Sequence, residues 1–418
     1  MNCEIICVGT ELLTGATLNT NVNYISKQLS QHGFSVLYQT TIGDNPGRLK
    51  ECFGIAAGRS DIIVLTGGLG PTQDDLTKQT VADYFGMPLK RDEQQVKNLK
   101  KRFDRFNYTM TENNYRQCDI PVGAKAIDNT CGTAPGIHIE KDGLTVFLLP
   151  GPPSEMKAMF DIYVMPILNN RTDQLVVSRY FNLCDMGESM VESQIMDLVN
   201  EQNNPTIATY AKPGEVLIRI TADGQDYDAV NELLDGYEQV IENRFGKHIF
   251  TRSQKTLSQV MAEYFMKEGI TVATAESCTG GLIASKFTEI AGISQSYKMG
   301  LVTYSNEAKM SLLQVREQTL ADKGAVSPET AREMCENLGR ISGCDMNVSV
   351  TGIAGPDGGS AEKPVGLVYI GVHYKGKTHI EECRFNGNRK AIQNRSAQKA
   401  FVLMRQMVLD IDRKNIYN

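Results

Sequence analysis

Histidine is scarce in this sequence. Its five residues among 418, at positions 32, 138, 248, 373 and 379, stand beside none of the motifs described below, so a Ser-His-Asp arrangement, which needs an imidazole within reach of its nucleophile, is disfavoured. The ten cysteines include no Cys-x-x-Cys pair and no paired metal-ligand spacing. Neither a zinc site nor a disulfide framework is suggested, and most should be buried reduced thiols. Nowhere do 18 consecutive apolar residues occur, and Glu4 to Val8 already reads as a strand with no basic stretch and long apolar run ahead of it. The expectation is a cytoplasmic chain without membrane contact. A basic surplus is missing too, with 43 Lys and Arg against 49 Asp and Glu for a net charge of −6. That argues against a nucleic-acid binder that works by phosphate neutralisation. The densest basic run, Lys90 to Arg105, is broken by Asp92, Glu93 and Asp104 and reads as a solvated helix face.

What remains is an ordinary globular composition, 41% apolar and 22% charged. The chain is too long for one ordinary core, and its pattern of elements changes twice, which suggests three domains at 1–170, 171–250 and 251–418. Residues 1–170 read as strand 3–8, helix 19–32, strand 34–42, helix 46–58, strand 61–66 and helix 76–86, the βαβα order of a parallel sheet covered on both faces. Ligands meet such sheets at the carboxyl ends of the strands. The motifs fall there: Gly9-Thr10-Glu11 after the first strand, Gly43-Asp44-Asn45 after the second, Thr66-Gly67-Gly68-Leu69-Gly70-Pro71-Thr72-Gln73-Asp74-Asp75 after the third, and Leu149-Pro150-Gly151-Pro152-Pro153-Ser154-Glu155 after strand 144–149. Glycines 67, 68 and 70 let backbone N–H groups approach a ligand. Asp74 and Asp75 open the next helix, where carboxylates suit either a hard divalent cation or the helix dipole, with Asp44 and Glu155 as further oxygen donors.

Residues 172–250 read as βαββα, the order of a small two-layer α+β module. They carry no Gly-x-x-Gly loop and no aromatic-basic interleaving, so nucleic acid is not an expected partner.

In the last domain, Ala275-Glu276-Ser277-Cys278-Thr279-Gly280-Gly281 lies between the β-branched segment 270–274 and helical spacing over 282–290. A serine at a strand-to-helix turn is well placed for nucleophilic chemistry, with the free N–H groups of the first helical turn close by; equally, Ser277 or Thr279 could simply cap the helix. Cys278 is the rival nucleophile, since a thiol at a helix N-terminus can ionise more easily. Downstream, Val302-Thr303-Tyr304-Ser305-Asn306-Glu307-Ala308-Lys309 ends a strand and enters a helix, and strand 347–350 runs into Thr351-Gly352-Ile353-Ala354-Gly355-Pro356-Asp357-Gly358-Gly359-Ser360. Without a histidine, a desolvated Lys309 is the available base for Ser277, with Tyr304 assisting, unless Lys309 is an ordinary surface lysine. Residues 366–373 and 378–384 look like a hairpin, and a helix spans 388–412.

Taken together these strings resemble the competence/damage-inducible CinA family along essentially the whole chain. The resemblance implies an α/β protein with a molybdopterin-binding-like three-layer domain first, a small α+β KH-like middle domain, and a C-terminal α/β amidase domain. It implies deamidation of nicotinamide mononucleotide to nicotinate mononucleotide and ammonia in the last domain, without a cofactor. Catalytic residues would be Ser277, Lys309, Tyr304 and Thr279, with substrate held by Glu276, Gly280, Gly281, Thr351, Gly352, Gly355, Asp357 and Gly358. For the first domain it implies ADP-ribose cleavage at Thr10, Gly67, Gly68 and Gly70, supported by a divalent metal, with or without potassium, on Asp74, Asp75, Asp44 and Glu155. Binding of a molybdopterin-like ligand without hydrolysis is the alternative there. A homodimer is implied as well. A non-enzymatic regulator of DNA uptake or repair, the reading the family name hints at, finds no physical support in so acidic a chain.

Overall fold

The computed structural model describes residues 1–106, 109–171, 175–212, 214–253 and 255–412. Residues 172–174, the first three of the segment read as βαββα, with an expected strand from 174, lie outside them. The chain divides into two compact units, Met1–Val177 with Asp223–Asn231, and Ser178–Ala222 with Glu232–Asn418.

The first unit is built on a six-stranded sheet in the order Ser35–Ile42, Asn2–Val8, Ile62–Thr66, Leu144–Leu149, Gly136–Lys141, Lys125–Ile127. Its first four strands are parallel, as the βαβα pattern predicts. The last two are antiparallel, so the sheet is mixed rather than parallel throughout. The cause is local: Asp142 and Gly143 both adopt positive φ, the geometry of a two-residue hairpin turn, and no crossover helix separates Gly136–Lys141 from Leu144–Leu149. Alternation along Asn2–Val8 splits its side chains between two cores. Cys3, Ile5 and Cys7 pack with Ile25, Leu29 and Phe160 on one face, and Ile6 and Val8 with Leu49, Phe53 and Val81 on the other. The domain therefore has three layers, helices on either side of the sheet.

In the second unit, a five-stranded sheet runs Tyr297–Val302, Val272–Glu276, Met346–Gly352, Leu367–Tyr374, Lys377–Arg384. The first three are parallel; Leu367–Tyr374 pairs antiparallel with Met346–Gly352 and, through the turn Lys375-Gly376 with both residues at positive φ, with Lys377–Arg384, the hairpin expected from the sequence. The middle module is a four-stranded sheet in the order Thr206–Lys212, Glu215–Gly224, Leu175–Cys184, Ile249–Thr251, with helices Glu188–Asn200 and Tyr227–Phe245. Its core merges with that of the C-terminal domain: Cys184 and Phe250 join a cluster with Leu257, Met261 and Phe401. The long helix Arg389–Asp412 buries Ile392, Ala397, Ala400, Met404 and Val408 in that core. Among the described residues no helix is long and apolar enough to cross a membrane.

Candidate active sites

Ser277 follows directly on the interior strand Val272–Glu276, and its N–H donates to Val350 O at 2.9 Å, which continues the ladder one residue past the strand. Gly280 and Gly281 then take φ of +63° and +95°, a left-handed pair that only glycine adopts without strain and that turns the chain sharply into helix Leu282–Thr288. The next parallel strand ends at Val302, and Ser305 caps helix Asn306–Leu313, its hydroxyl accepting from Ala308 N–H at 3.1 Å. That cap fixes the first turn so that Lys309 points back under the strand ends.

The result is a buried pair. Lys309 is 1% exposed, and its Nζ stands 3.1 Å from Ser277 Oγ, 2.8 Å from Thr303 O and 3.4 Å from Tyr304 O. No carboxylate is paired with it among the described residues, and burial pulls its pKa below the usual lysine value. Two carbonyls take two N–H groups, and the third direction of the amine faces the serine. In the neutral form that direction holds the lone pair, so the Ser277 hydroxyl donates to it. Lys309 is therefore a core lysine and not a surface one.

Cys278 turns the other way, into the apolar cluster, and burial pushes its thiol up to about 12. It is a thiol at neutral pH and not a nucleophile.

Several expected substrate residues have other work. Glu276 does not face the site: its buried carboxylate accepts from the N–H groups of Gly281 (3.1 Å), Ile283 (3.1 Å) and Ala284 (2.9 Å), closing the N-terminus of helix Leu282–Thr288. This also removes the Gly281 N–H as an oxyanion donor, while the Gly280 N–H donates to Ser277 O at 3.1 Å. Thr279 is left, with a buried hydroxyl that has no partner and an N–H that no acceptor takes among the described residues. Thr351 donates its hydroxyl to Ala325 O at 2.7 Å, which fixes the strand end and not a ligand. Gly352 ends that strand so close to Val368 that no Cβ fits. Tyr304 is 62% exposed, and its hydroxyl accepts from Arg389 Nη2 at 2.9 Å; only its main-chain carbonyl meets Lys309. It lies two residues past the edge strand Tyr297–Val302, so its ring faces solvent. In the glycine loop, Gly355 and Gly358 have positive φ, and Asp357 is exposed.

Sequence reasoning missed Arg389, whose Nη1 donates to Gly355 O at 2.8 Å, tying the loop to Tyr304. Gln393, one turn on, donates to Cys278 O at 2.9 Å. A signal existed: a cation in the first turn of a helix opposes the macrodipole and so asks for a reason.

The first unit carries a cavity of about 400 Å³ at the carboxyl ends of its parallel strands. Gly67, Gly68 and Gly70 line it, as do Glu11, Asp44, Asp74, Asp75 and Glu155; no lysine, arginine or histidine does. At Gly67 (φ +105°) a Cβ would collide with Val8 O. The carboxylates are tethered: Asp44 accepts from Thr10 N (3.0 Å) and Oγ1 (2.8 Å), Asp75 from Thr72 N (2.8 Å) and Oγ1 (2.6 Å), and Glu155 from Asn129 Nδ2 (2.7 Å). Thr10 thus serves Asp44 and is not part of the lining. Among the described residues no three His, Cys, Asp or Glu side chains are already gathered as a metal cluster. The donor chemistry nonetheless fits a hard cation, since every charged group on the wall is a carboxylate. Gln117, also on the wall, has a buried Oε1 without a partner among the described residues.

Comparison with known proteins places residues 4–170 in a probable molybdopterin binding domain, 178–251 in the damage-inducible protein CinA KH domain and 254–408 in the CinA C-terminal domain. A CinA-like protein of Dictyoglomus turgidum is 42% identical over 98% of this chain and all of its own. A putative competence-damage inducible protein of Acetivibrio thermocellus is 45% identical, again over 98% of this chain and all of its own. Among solved structures, the competence/damage inducible protein CihA of Agrobacterium tumefaciens is 42% identical, covering 37% of this chain and 93% of its own at a TM-score of 0.36. The protein CinA of Thermoplasma acidophilum is 35% identical, with 40% and 99% covered at a TM-score of 0.38.

Proposed function

The chain belongs to the CinA family, and on that premise we propose that its C-terminal domain is an amide hydrolase that deamidates nicotinamide mononucleotide. The observation that carries this reading is the 3.1 Å contact between a buried Lys309 Nζ and Ser277 Oγ. Neutral Lys309 takes the hydroxyl proton as Ser277 Oγ attacks the carboxamide carbon. The oxyanion so formed is met by the N–H and hydroxyl of Thr279, which are otherwise unused. The lysine ammonium returns its proton to the departing nitrogen, ammonia leaves, and a nicotinoyl ester remains on the serine. Water, deprotonated by the same lysine, cleaves that ester, yielding nicotinate mononucleotide and restoring Ser277. Arg389 supplies a positive charge beside the glycine loop for the phosphate. The test is release of ammonia together with nicotinate mononucleotide from purified protein, and trapping of the acylated Ser277 by mass spectrometry. No ammonia under saturating substrate would end this reading.

For the first domain we infer cleavage of a pyrophosphate such as that of ADP-ribose. A polyanion cannot approach five carboxylates unaided, and no basic side chain lines the cavity to help. Asp44, Asp74, Asp75 and Glu155 would hold a divalent cation, which when bound neutralises the phosphates and activates water. The glycine loop admits the substrate against the backbone.

A further inference from the structure

Most of the basic run Lys90 to Arg105 lies on helix Glu93–Phe106, and Arg102 on that helix is half-buried. Its Nη1 donates to Gly132 O and its Nη2 to Asn129 O. No carboxylate is paired with it among the described residues. Arg102 does not line the carboxylate-walled cavity of the first unit; it lines a neighbouring one of about 340 Å³, and Thr133 belongs to both walls. One planar fork thus grips two carbonyls three residues apart, a geometry that the single nitrogen of a lysine does not reproduce.

The turn held in this way is the one that aims Glu155. Asn129 is 8% exposed, and its Oδ1 accepts from Cys131 N at 3.0 Å and Gly132 N at 2.7 Å. With the oxygen so used, Nδ2 donates to Ala134 O at 2.8 Å and to Glu155 Oε2 at 2.7 Å. Two N–H donors on one side and two oxygens on the other leave the amide a single orientation. No other side chain holds the Glu155 carboxylate among the described residues. The loop also presses against that carboxylate, since a Cβ at Gly132 would stand 1.9 Å from Glu155 Oε2. A displaced loop therefore displaces Glu155.

We propose that Arg102 is a positioning residue for the cation site of the first domain: it fixes the loop 129–132, and through the Asn129 amide the loop fixes Glu155. The proposal rests on the reading of this cavity as a divalent-cation site for pyrophosphate cleavage, but its first readout is cation affinity, which needs no cleavage.

Two roles for Arg102 near five carboxylates have opposite signs. As a charge it repels a divalent cation, so its removal should tighten binding. As a support for Glu155, its removal should weaken binding. Mn²⁺ is the probe, its affinity for the full-length chain measured by calorimetry, with Tm in chelator recorded for every variant. Arg102→Lys keeps the charge and loses the fork, and should bind Mn²⁺ roughly tenfold more weakly or worse, as a lost partner of a metal ligand typically does. Arg102→Ala should weaken binding as well. Glu155→Gln weakens it by itself, and adding Arg102→Lys to that variant should change the affinity by less than about twofold, because Arg102 acts through a carboxylate already gone. Asn129→Ser keeps a hydroxyl acceptor for the turn but is too short to reach Glu155; it should match Arg102→Lys, and it tests the same link should an Arg102 variant fail to fold. Parent-like affinity in Arg102→Lys or Asn129→Ser, tighter binding in Arg102→Ala, or a full further loss on adding Arg102→Lys to Glu155→Gln overturns the proposal. So does a parent that binds no Mn²⁺, or a Glu155→Gln variant that binds it as the parent does. Should the affinities follow this pattern while the parent cleaves no ADP-ribose, the positioning role stands and the pyrophosphatase reading falls.

Discussion

Lys309 and Ser277 are 32 positions apart and belong to successive strand-helix units, yet Nζ and Oγ meet at 3.1 Å beneath the strand ends. Neither residue could be placed there alone. Ser277 is held by the ladder bond to Val350, and Lys309 by the Ser305 cap that starts its helix. Because two main-chain carbonyls hold the amine, its position does not depend on a substrate. On the proposed deamidation, a pair held this way is organised before any substrate arrives, which would lower the cost of reaching the transition state.

Ser277→Ala should lower kcat by several orders of magnitude, because nucleophile and base act as a unit. Loss of a helix cap alone would cost about 1 kcal/mol of stability and leave turnover largely intact. Cys278→Ala should retain turnover, since the thiol lies in the core with a pKa of about 12. Steady-state ammonia release by the two variants checks this. A dead Cys278→Ala beside an active Ser277→Ala would make the site a thiol hydrolase.

Lys309→Met should abolish turnover without loss of stability at neutral pH. The folded state lowers the lysine pKa through burial, so the unfolded chain binds more protons and the parent's stability rises with pH between the folded pKa and about 10.4, the ordinary lysine value. The Met variant lacks that term. Its advantage over the parent should be largest at low pH and fade as pH approaches the ordinary lysine range, as read by denaturant midpoints across pH. The parent's rate should climb over the same window, as the amine becomes a base. A flat pH–rate profile on the alkaline side would exclude Lys309 as that base.

Glu276→Gln should act on the fold and not on binding. The carboxylate closes three helix N–H groups, and an amide, with one acceptor oxygen, leaves at least one unmet, at about 1–3 kcal/mol. Thermal unfolding should move down while KM for the mononucleotide stays within about twofold, since no contact with substrate is removed. A large rise in KM at unchanged Tm would return Glu276 to the binding site.

The sequence carried the strand–turn–helix around Ser277, the two glycines, and the approach of Lys309 because these depend on local pattern. What it hid depends on partners distant in the chain or on direction. Glu276 stands beside Ser277 in sequence, but the turn at Gly280 and Gly281 folds the next helix back onto its carboxylate. Tyr304 ends a strand as expected, but that strand is at the sheet edge, so the ring meets solvent and Arg389. The first sheet is mixed because Asp142-Gly143 forms a tight turn where a βαβα reading extends the parallel pattern, whereas the hairpin of Leu367–Tyr374 and Lys377–Arg384 was legible from the sequence.

Asp74 and Asp75 are adjacent in sequence, yet the fold gives them different duties, and that difference can be measured. Asp75 accepts from both Thr72 N and Oγ1 and stands against Gly70, so it holds the glycine loop closed. Asp74 faces the same cavity without such a tether among the described residues. Asp75→Ala should therefore lower Tm even in chelator, by the equivalent of about 1–3 kcal/mol for hydrogen bonds to a charged group. Asp74→Asn should leave Tm in chelator unchanged, because it removes only charge from a wall already crowded with it. Both should lose metal-dependent cleavage of ADP-ribose, but for separable reasons: excess divalent cation should partly rescue Asp74→Asn, whose loop is intact, and should not rescue Asp75→Ala. Equal Tm values for the two variants in chelator would mean that Asp75 is not structural, and full cleavage by Asp74→Asn would remove it from the cation site.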